Sequence, residues 1–341
     1  MRVATAATAA AVAGLALVAA WAAALGPSGT ERFVAGASDS SPVGAADWSV
    51  SSTADDRVPA SVRASAARIR VAVVDTGADL SSPVFAAGRP QTFDVQTGGR
   101  SVTDSNGHGT FVASLVAEFG GSAKLMIVKA ADAQGSMSAI NEAAGIRYAV
   151  LHGAKIVNLS IAGTTTSPVE RSAVSFAVKH GALVVAAVGN EYRTGNPVEY
   201  PAALLQPLGS DGSGGIGLAV GASDESGARA PFSNSGSWVS IAAPGVGVLG
   251  ALSSLSSPTV WPRAATDAGV GLYGYGSGTS FAAPEVSGAA ALVWAADPHL
   301  TAQQVAGILK RTASGGGTWT PDLGYGVIDV ASAVAAATAL R

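Results

Sequence analysis

Residues 69–77 read Ile-Arg-Val-Ala-Val-Val-Asp-Thr-Gly. A short run of branched apolar side chains that stops at an acid is the pattern of a buried strand, here ending at Asp75. The chain downstream alternates strand and helix signals. A helix is expected over 108–118, a strand over 124–129, a helix over 138–151 closed by Gly153, and a strand over 155–159. Ser167-Pro168-Val169-Glu170 carries a cap hydroxyl, a first-turn proline and a glutamate three residues after the cap, which starts a helix ending at Gly181. Further strands are expected over 182–188, 216–220 and 238–242. Helices are expected over 280–296, 302–312 and 329–339, the second opened by the capping pair Thr301 and Gln304. Strands alternating with helices predict an α/β fold, a mostly parallel sheet with helices on both faces in three layers. Ligands of such sheets bind beyond the carboxyl ends of the strands, where Asp75 and Asn190 both fall.

Composition narrows the function. Of 341 residues, 48% are apolar and 13% charged, which excludes a disordered chain. The net charge of −3 argues against a broad nucleic-acid face. With no cysteine there is no disulfide scaffold, no thiolate zinc site and no cysteine nucleophile.

The first residues have the form of a targeting segment. Arg2 precedes an uncharged stretch over 3–25, and Ala22-Ala23-Ala24 suits signal cleavage before Leu25. The same stretch is long enough to anchor in a bilayer if uncleaved, since a spanning helix needs ~20 residues. The protein is therefore expected to be secreted or extracytoplasmic, with residues 3–25 as the alternative membrane anchor. Residues 26–66, rich in Ser, Ala, Gly and Asp, are expected to be an N-terminal extension or flexible linker. The globular domain is expected over 67–341.

Four positions could carry chemistry. His152 and His180 each sit at an expected helix end, where the dipole favours a cation, so both are read as structural. His299 is read as solvent-facing. His108 differs, because it lies in Asn106-Gly107-His108-Gly109-Thr110 with glycine on both sides. Ser280 follows Gly276-Ser277-Gly278-Thr279 and opens a helix. Taken singly, Ser280 could be a cap or part of a phosphate loop. His108 could be part of a glycine-rich turn, Asp75 a turn aspartate and Asn190 an ordinary Gly-Asn turn. The phosphate-loop reading lacks the third glycine of G-x-G-x-x-G and any GK[ST].

Together these segments resemble the subtilases, the subtilisin-like serine proteases, over about residues 68–335. The resemblance rests on VAVVDTG (71–77), NGHGTFVAS (106–114), NLSIAG (158–163), VVAAVGN (184–190), YPAAL (200–204), AVGA (219–222), FSNSG (232–236), APG (243–245), GTSFAAPEVSG (278–288) and GYGVIDVASAV (324–334). It implies a serine endopeptidase acting on protein or peptide substrates. Asp75, His108 and Ser280 would form the triad, and Asn190 would be the oxyanion donor. Ser160, Ile161, Ala162 and Gly163 would bind an extended substrate. Ala187, Val188 and Gly189 would form the opposite wall of the primary specificity pocket, where Glu191 near the rim could attract a basic side chain. The same acyl-enzyme could instead serve a peptide ligase. A non-catalytic binding module would be expected to lack a triad residue, and none is missing.

The chain departs from the family at several places. Only residues 120–123 link the histidine helix to the next strand, where many subtilases have a longer calcium loop. The link holds no acid, so no calcium is expected there. No cofactor and no resident metal are expected, and the protein is expected to be a monomer. Residues 246–277 are long for this link and are expected to form a surface loop beside the site. Phe111 and Glu285 stand where the family often has histidine, and only local effects are expected of them. Residues 26–66 are too few for the usual folded prodomain.

Overall fold

The computed structural model describes residues 48–261, 263–264 and 272–341. The expected signal or anchor over 1–25 and the extension over 26–47 lie outside the described residues. The strands are β1 (Arg70–Asp75), β2 (Gln91–Asp94), β3 (Lys124–Lys129), β4 (Ile156–Leu159), β5 (Leu183–Ala187), β6 (Leu218–Ser223), β7 (Ile241–Pro244), β8 (Val248–Ala251) and β9 (Tyr273–Gly276). The helices are α1 (Trp48–Ser52), α2 (Ala60–Ser65), α3 (His108–Phe119), α4 (Ala139–Leu151), α5 (Pro168–Lys179), α6 (Ala202–Leu205), α7 (Thr279–Ala296), α8 (Ala302–Thr312) and α9 (Val330–Thr338).

Seven strands form one sheet in the order β2-β3-β1-β4-β5-β6-β7, and each neighbouring pair is parallel. The period-2 rule of a strand is visible in β1. Val71 and Val73 join one core with residues of α3, α7, α8 and α9, while Ala72 and Val74 join another with residues of α4 and α5. Both faces are thus covered, which is why the strands read as continuous apolar runs rather than alternating ones. The expected three-layer α/β architecture is the one observed. Ser167 and Thr301 both make the capping boxes read from the sequence.

Two regions differ from expectation. Residues 48–66 are not a flexible linker: they fold into α1, a short 3-10 turn and α2, packed onto the main domain. Trp48 donates Nε1–H to Val246 O at 3.2 Å, and Val330 N–H reaches Thr53 O at 2.8 Å. Val50, Ala54, Val58 and Ala66 are buried, so apolar burial holds this segment despite its polar average composition. The other difference lies in 246–277, where β8 and β9 pair as an antiparallel ribbon. Trp261, expected in a surface loop, is 4% exposed and donates Nε1–H to Asn106 O at 2.8 Å. Its indole stacks on Phe111 at 5.4 Å, and Phe111 lies 4.5 Å from Phe281.

Candidate active site

Asp75 is the last residue of β1, and its side chain stands at the carboxyl edge of the sheet. His108 opens α3. The two meet through His108 Nδ1 and Asp75 Oδ1 at 2.8 Å. A carboxylate only accepts, so Nδ1 carries the proton and the neutral ring presents Nε2 as its acceptor. Burial works against the imidazolium and is the largest single influence on His108. The charge and hydrogen bond of Asp75, with the charge of Asp104, outweigh it, and His108 titrates above its ordinary value.

The approach of α3 to β1 depends on a missing side chain. A Cβ on Gly109 would collide with Gly77 O, so only glycine lets the first turn come this close. Asp104 then pins the turn. Fully buried, it accepts Thr76 Oγ1–H at 2.9 Å, Gly107 N–H at 2.8 Å, Thr110 N–H at 2.9 Å and Thr110 Oγ1–H at 2.5 Å. Thr76 Oγ1 in turn accepts Gly109 N–H at 2.8 Å. Asp104 was not anticipated from the sequence; its signal is an acid shortly before a glycine-flanked helix start, the setting of a side-chain cap.

Ser280 lies in the first turn of α7, a helix buried along nearly its whole length. Phe281, its neighbour, packs against the His108 ring with centroids 5.8 Å apart. The helix contains Pro284, which has no N–H to give to the carbonyl four residues earlier. That carbonyl belongs to Ser280, and Ser160 Oγ–H fills the place at 2.7 Å. Ser280 Oγ–H returns a bond to Ser160 O at 3.2 Å. Asn158 holds Ser160 through Nδ2–H to Oγ at 3.0 Å, and is itself held by Ser287 Oγ–H at 2.9 Å. The edge 160–163 and the serine helix are therefore one hydrogen-bonded unit.

Asn190 follows β5. Its Oδ1 accepts Thr279 N–H at 2.9 Å and Thr279 Oγ1–H at 3.1 Å. Those bonds decide which end of the amide is the donor, and Nδ2 is left facing the other way. Thr279 Oγ1 also accepts Gly189 N–H at 3.2 Å, tying the segment 187–189 to the same turn. Opposite, Gly163 exchanges two backbone bonds with Tyr200, at 3.0 and 2.8 Å. Asp75, His108, Ser280, Asn190 and the segments 160–163 and 187–189 thus come together at one edge of the sheet. His152 and His180 sit elsewhere, each with Nδ1 on the carbonyl four residues back at 2.8 Å, as expected of helix ends. Among the described residues, no group of three or more His, Asp or Glu side chains is arranged to hold a metal ion.

A parallel sheet covered on both faces, with a carboxylate, an imidazole and a helix-opening serine gathered past its strand ends, defines a narrow class of α/β protein. The chain belongs to the subtilase family, whose profile matches residues 66–326. It is 33% identical to Subtilisin E of Bacillus subtilis (strain 168) over 257 residues, which covers 72% of this chain and 60% of that protein. It is also 33% identical to Subtilisin Savinase of Lederbergia lenta over 281 residues, covering 78% of this chain and 90% of the relative. Among solved structures it is similar to fervidolysin from Fervidobacterium pennivorans, described as a keratinolytic enzyme related to subtilisin. That similarity has a TM-score of 0.67 and 30% identity, covering 80% of this chain and 43% of the other.

Proposed function

We propose that the protein is an exported serine endopeptidase. Ser280 Oγ attacks the peptide carbonyl while its proton passes to His108 Nε2. The tetrahedral intermediate collapses to an acyl-ester on Ser280, and the amine leaves with the proton His108 returns. Water, deprotonated by the same nitrogen, releases the acid and restores Ser280. Asp75 keeps Nδ1 protonated and stabilises the imidazolium. Asn190 Nδ2 and the Ser280 N–H stabilise the oxyanion, helped by the positive end of α7. The edge 160–163 pairs with an extended substrate, and 187–189 walls the pocket for the residue before the cleaved bond. No step calls for a metal, and the link 120–123 holds no carboxylate that would ligate calcium.

The observation that carries the reading is the 2.8 Å bond between His108 Nδ1 and Asp75, beside the turn that bears Ser280. The proteases among the relatives support it. A fluorophosphonate probe is expected to label Ser280, and Ser280→Ala is expected to lose both labelling and casein cleavage. Undiminished cleavage by that variant overturns the reading.

A further inference from the structure

A buried acid lies between the segments 187–189 and 160–163. Glu199 is 4% exposed, and its Oε2 is buried without a hydrogen-bond partner. Its position relative to the walls follows from two contacts. On one side, a Cβ placed on Gly189 would land on Glu199 Oε2, so the carboxyl lies directly against that wall. On the other, Glu199 is followed by Tyr200, whose backbone is bonded to Gly163 of the opposite edge. Glu199 therefore occupies the junction of the segments 187–189 and 160–163.

No N–H group serves this oxygen, and the side-chain hydrogen bond of Glu199 is with another carboxyl, that of Glu191. Asn234 Nδ2 is the neighbouring amide, but its two hydrogens go to Val188 O at 3.1 Å and Pro197 O at 3.3 Å. Arg229 is the cation on the adjoining segment, and it is committed to Asp322 at 2.9 Å and to the carbonyls of Ala230 and Ser233. The other charged neighbour is a second acid, Glu191, whose Oε2 accepts the Asn190 N–H at 2.6 Å. Burial first, and then the charge and hydrogen bonding of Glu191, push Glu199 up to about 8. Among the described residues, no ion pair involves either acid. The two carboxyls share a hydrogen bond beside the small residues 187–189 and have no cation paired with them, so the proton held between them takes the place a substrate cation would occupy.

We propose that Glu199, with Glu191 beside it, selects lysine or arginine as the residue immediately before the cleaved bond. This rests on the protease reading above and names the substrate class of that same site. The long aliphatic stem of either residue lies between the segments 187–189 and 160–163, and its charged head meets the acid pair. Glu199 acts on specificity, and the reacting atoms remain those of Ser280 and His108.

The test uses peptide–aminocoumarin substrates that differ only in that residue: Arg, Lys, Phe or Leu. The parent protein is expected to favour Arg and Lys over Phe in kcat/KM by about tenfold or more. Glu199→Gln is expected to cut the Arg-to-Phe ratio about tenfold, with fluorophosphonate labelling of Ser280 within about twofold of the parent. Should that variant not fold, the unaltered protein still decides. A peptide ending in argininal is expected to inhibit about tenfold more tightly than its phenylalaninal twin, and equal or reversed inhibition overturns the inference. Cleavage and labelling with a ratio that Glu199→Gln leaves unmoved overturns the inference alone. Absence of both labelling and cleavage overturns the protease reading, and the inference with it.

Discussion

The Asp104 side chain bonds to Thr76, Gly107 and Thr110 rather than to Ser280, and it fixes the turn that carries His108. A carboxylate that accepts four hydrogen bonds cannot be replaced by an amide, because the amide would turn an NH2 toward groups that are themselves donors. Asp104→Asn is expected to destabilise by about 2–3 kcal/mol, the scale of a bond to a charged group. It also removes a negative charge that raises the His108 pKa. His108 must be neutral to act as a base, so in the parent protein the acid limb of kcat/KM lies above the ordinary histidine value of ~6.5. In Asp104→Asn the limb is expected to move to lower pH. A pH profile on an uncharged peptide substrate checks both statements. A limb that stays in place would show that Asp104 acts on His108 by position alone.

Elements meet at the Ser160–Ser280 junction, where a proline in one helix creates the acceptor that a strand edge satisfies. Ser160→Ala leaves a buried carbonyl without a partner and is expected to cost about 1–3 kcal/mol in urea denaturation. Pro284→Ala restores the N–H that could serve Ser280 O from within the helix. The double variant Ser160→Ala/Pro284→Ala is therefore expected to be more stable than the sum of the single effects predicts, and simple additivity would refute the coupling. Much of this scale was legible in the sequence, because capping boxes, glycine stops and unbroken apolar runs are local signals. Strands β1, β3 and β5 and helices α7 and α8 fall within a residue or two of expectation. The short edge strand β2 and the β8–β9 ribbon were not legible, since QTFD, VLGA and YGYG lack the unbroken apolar run that marks the other strands. The Asp75, His108, Ser280 and Asn190 motifs were readable as motifs. Glu199 was not, because its importance comes from what it packs against rather than from its neighbours in the chain.

Over the whole molecule, the segment 48–66 behaves as part of the domain. Inside it Arg63 pairs with the buried Asp55 and donates to Asp55 O at 2.6 Å, while Ser122 N–H ties Arg63 O to the rest of the domain at 3.0 Å. Burial, opposed by Arg63, pushes Asp55 up to about 6. A folded pKa above the unfolded one means that its contribution to stability is full at low pH and drains away as pH rises through that value. Arg63→Ala removes the compensating charge, so its Tm deficit is expected to be larger at pH 8 than at pH 5. At pH 8 the loss should approach the lower end of ~3–5 kcal/mol for a broken buried pair. An equal deficit at both values would mean that only the Arg63 packing and backbone bonds matter.

The topology has a further effect on timing. Asp75 and His108 belong to the first half of the chain, but Ser280 is carried by α7, which packs against β1, β4, β5, β6 and β7. During synthesis Asp75 and His108 leave the ribosome long before Ser280. Ser280 gains its surroundings only once that late helix packs against these strands. On the reading proposed above, the nascent polypeptide is chemically silent until its final third has been made, and it cannot cut itself while its loops are still loose.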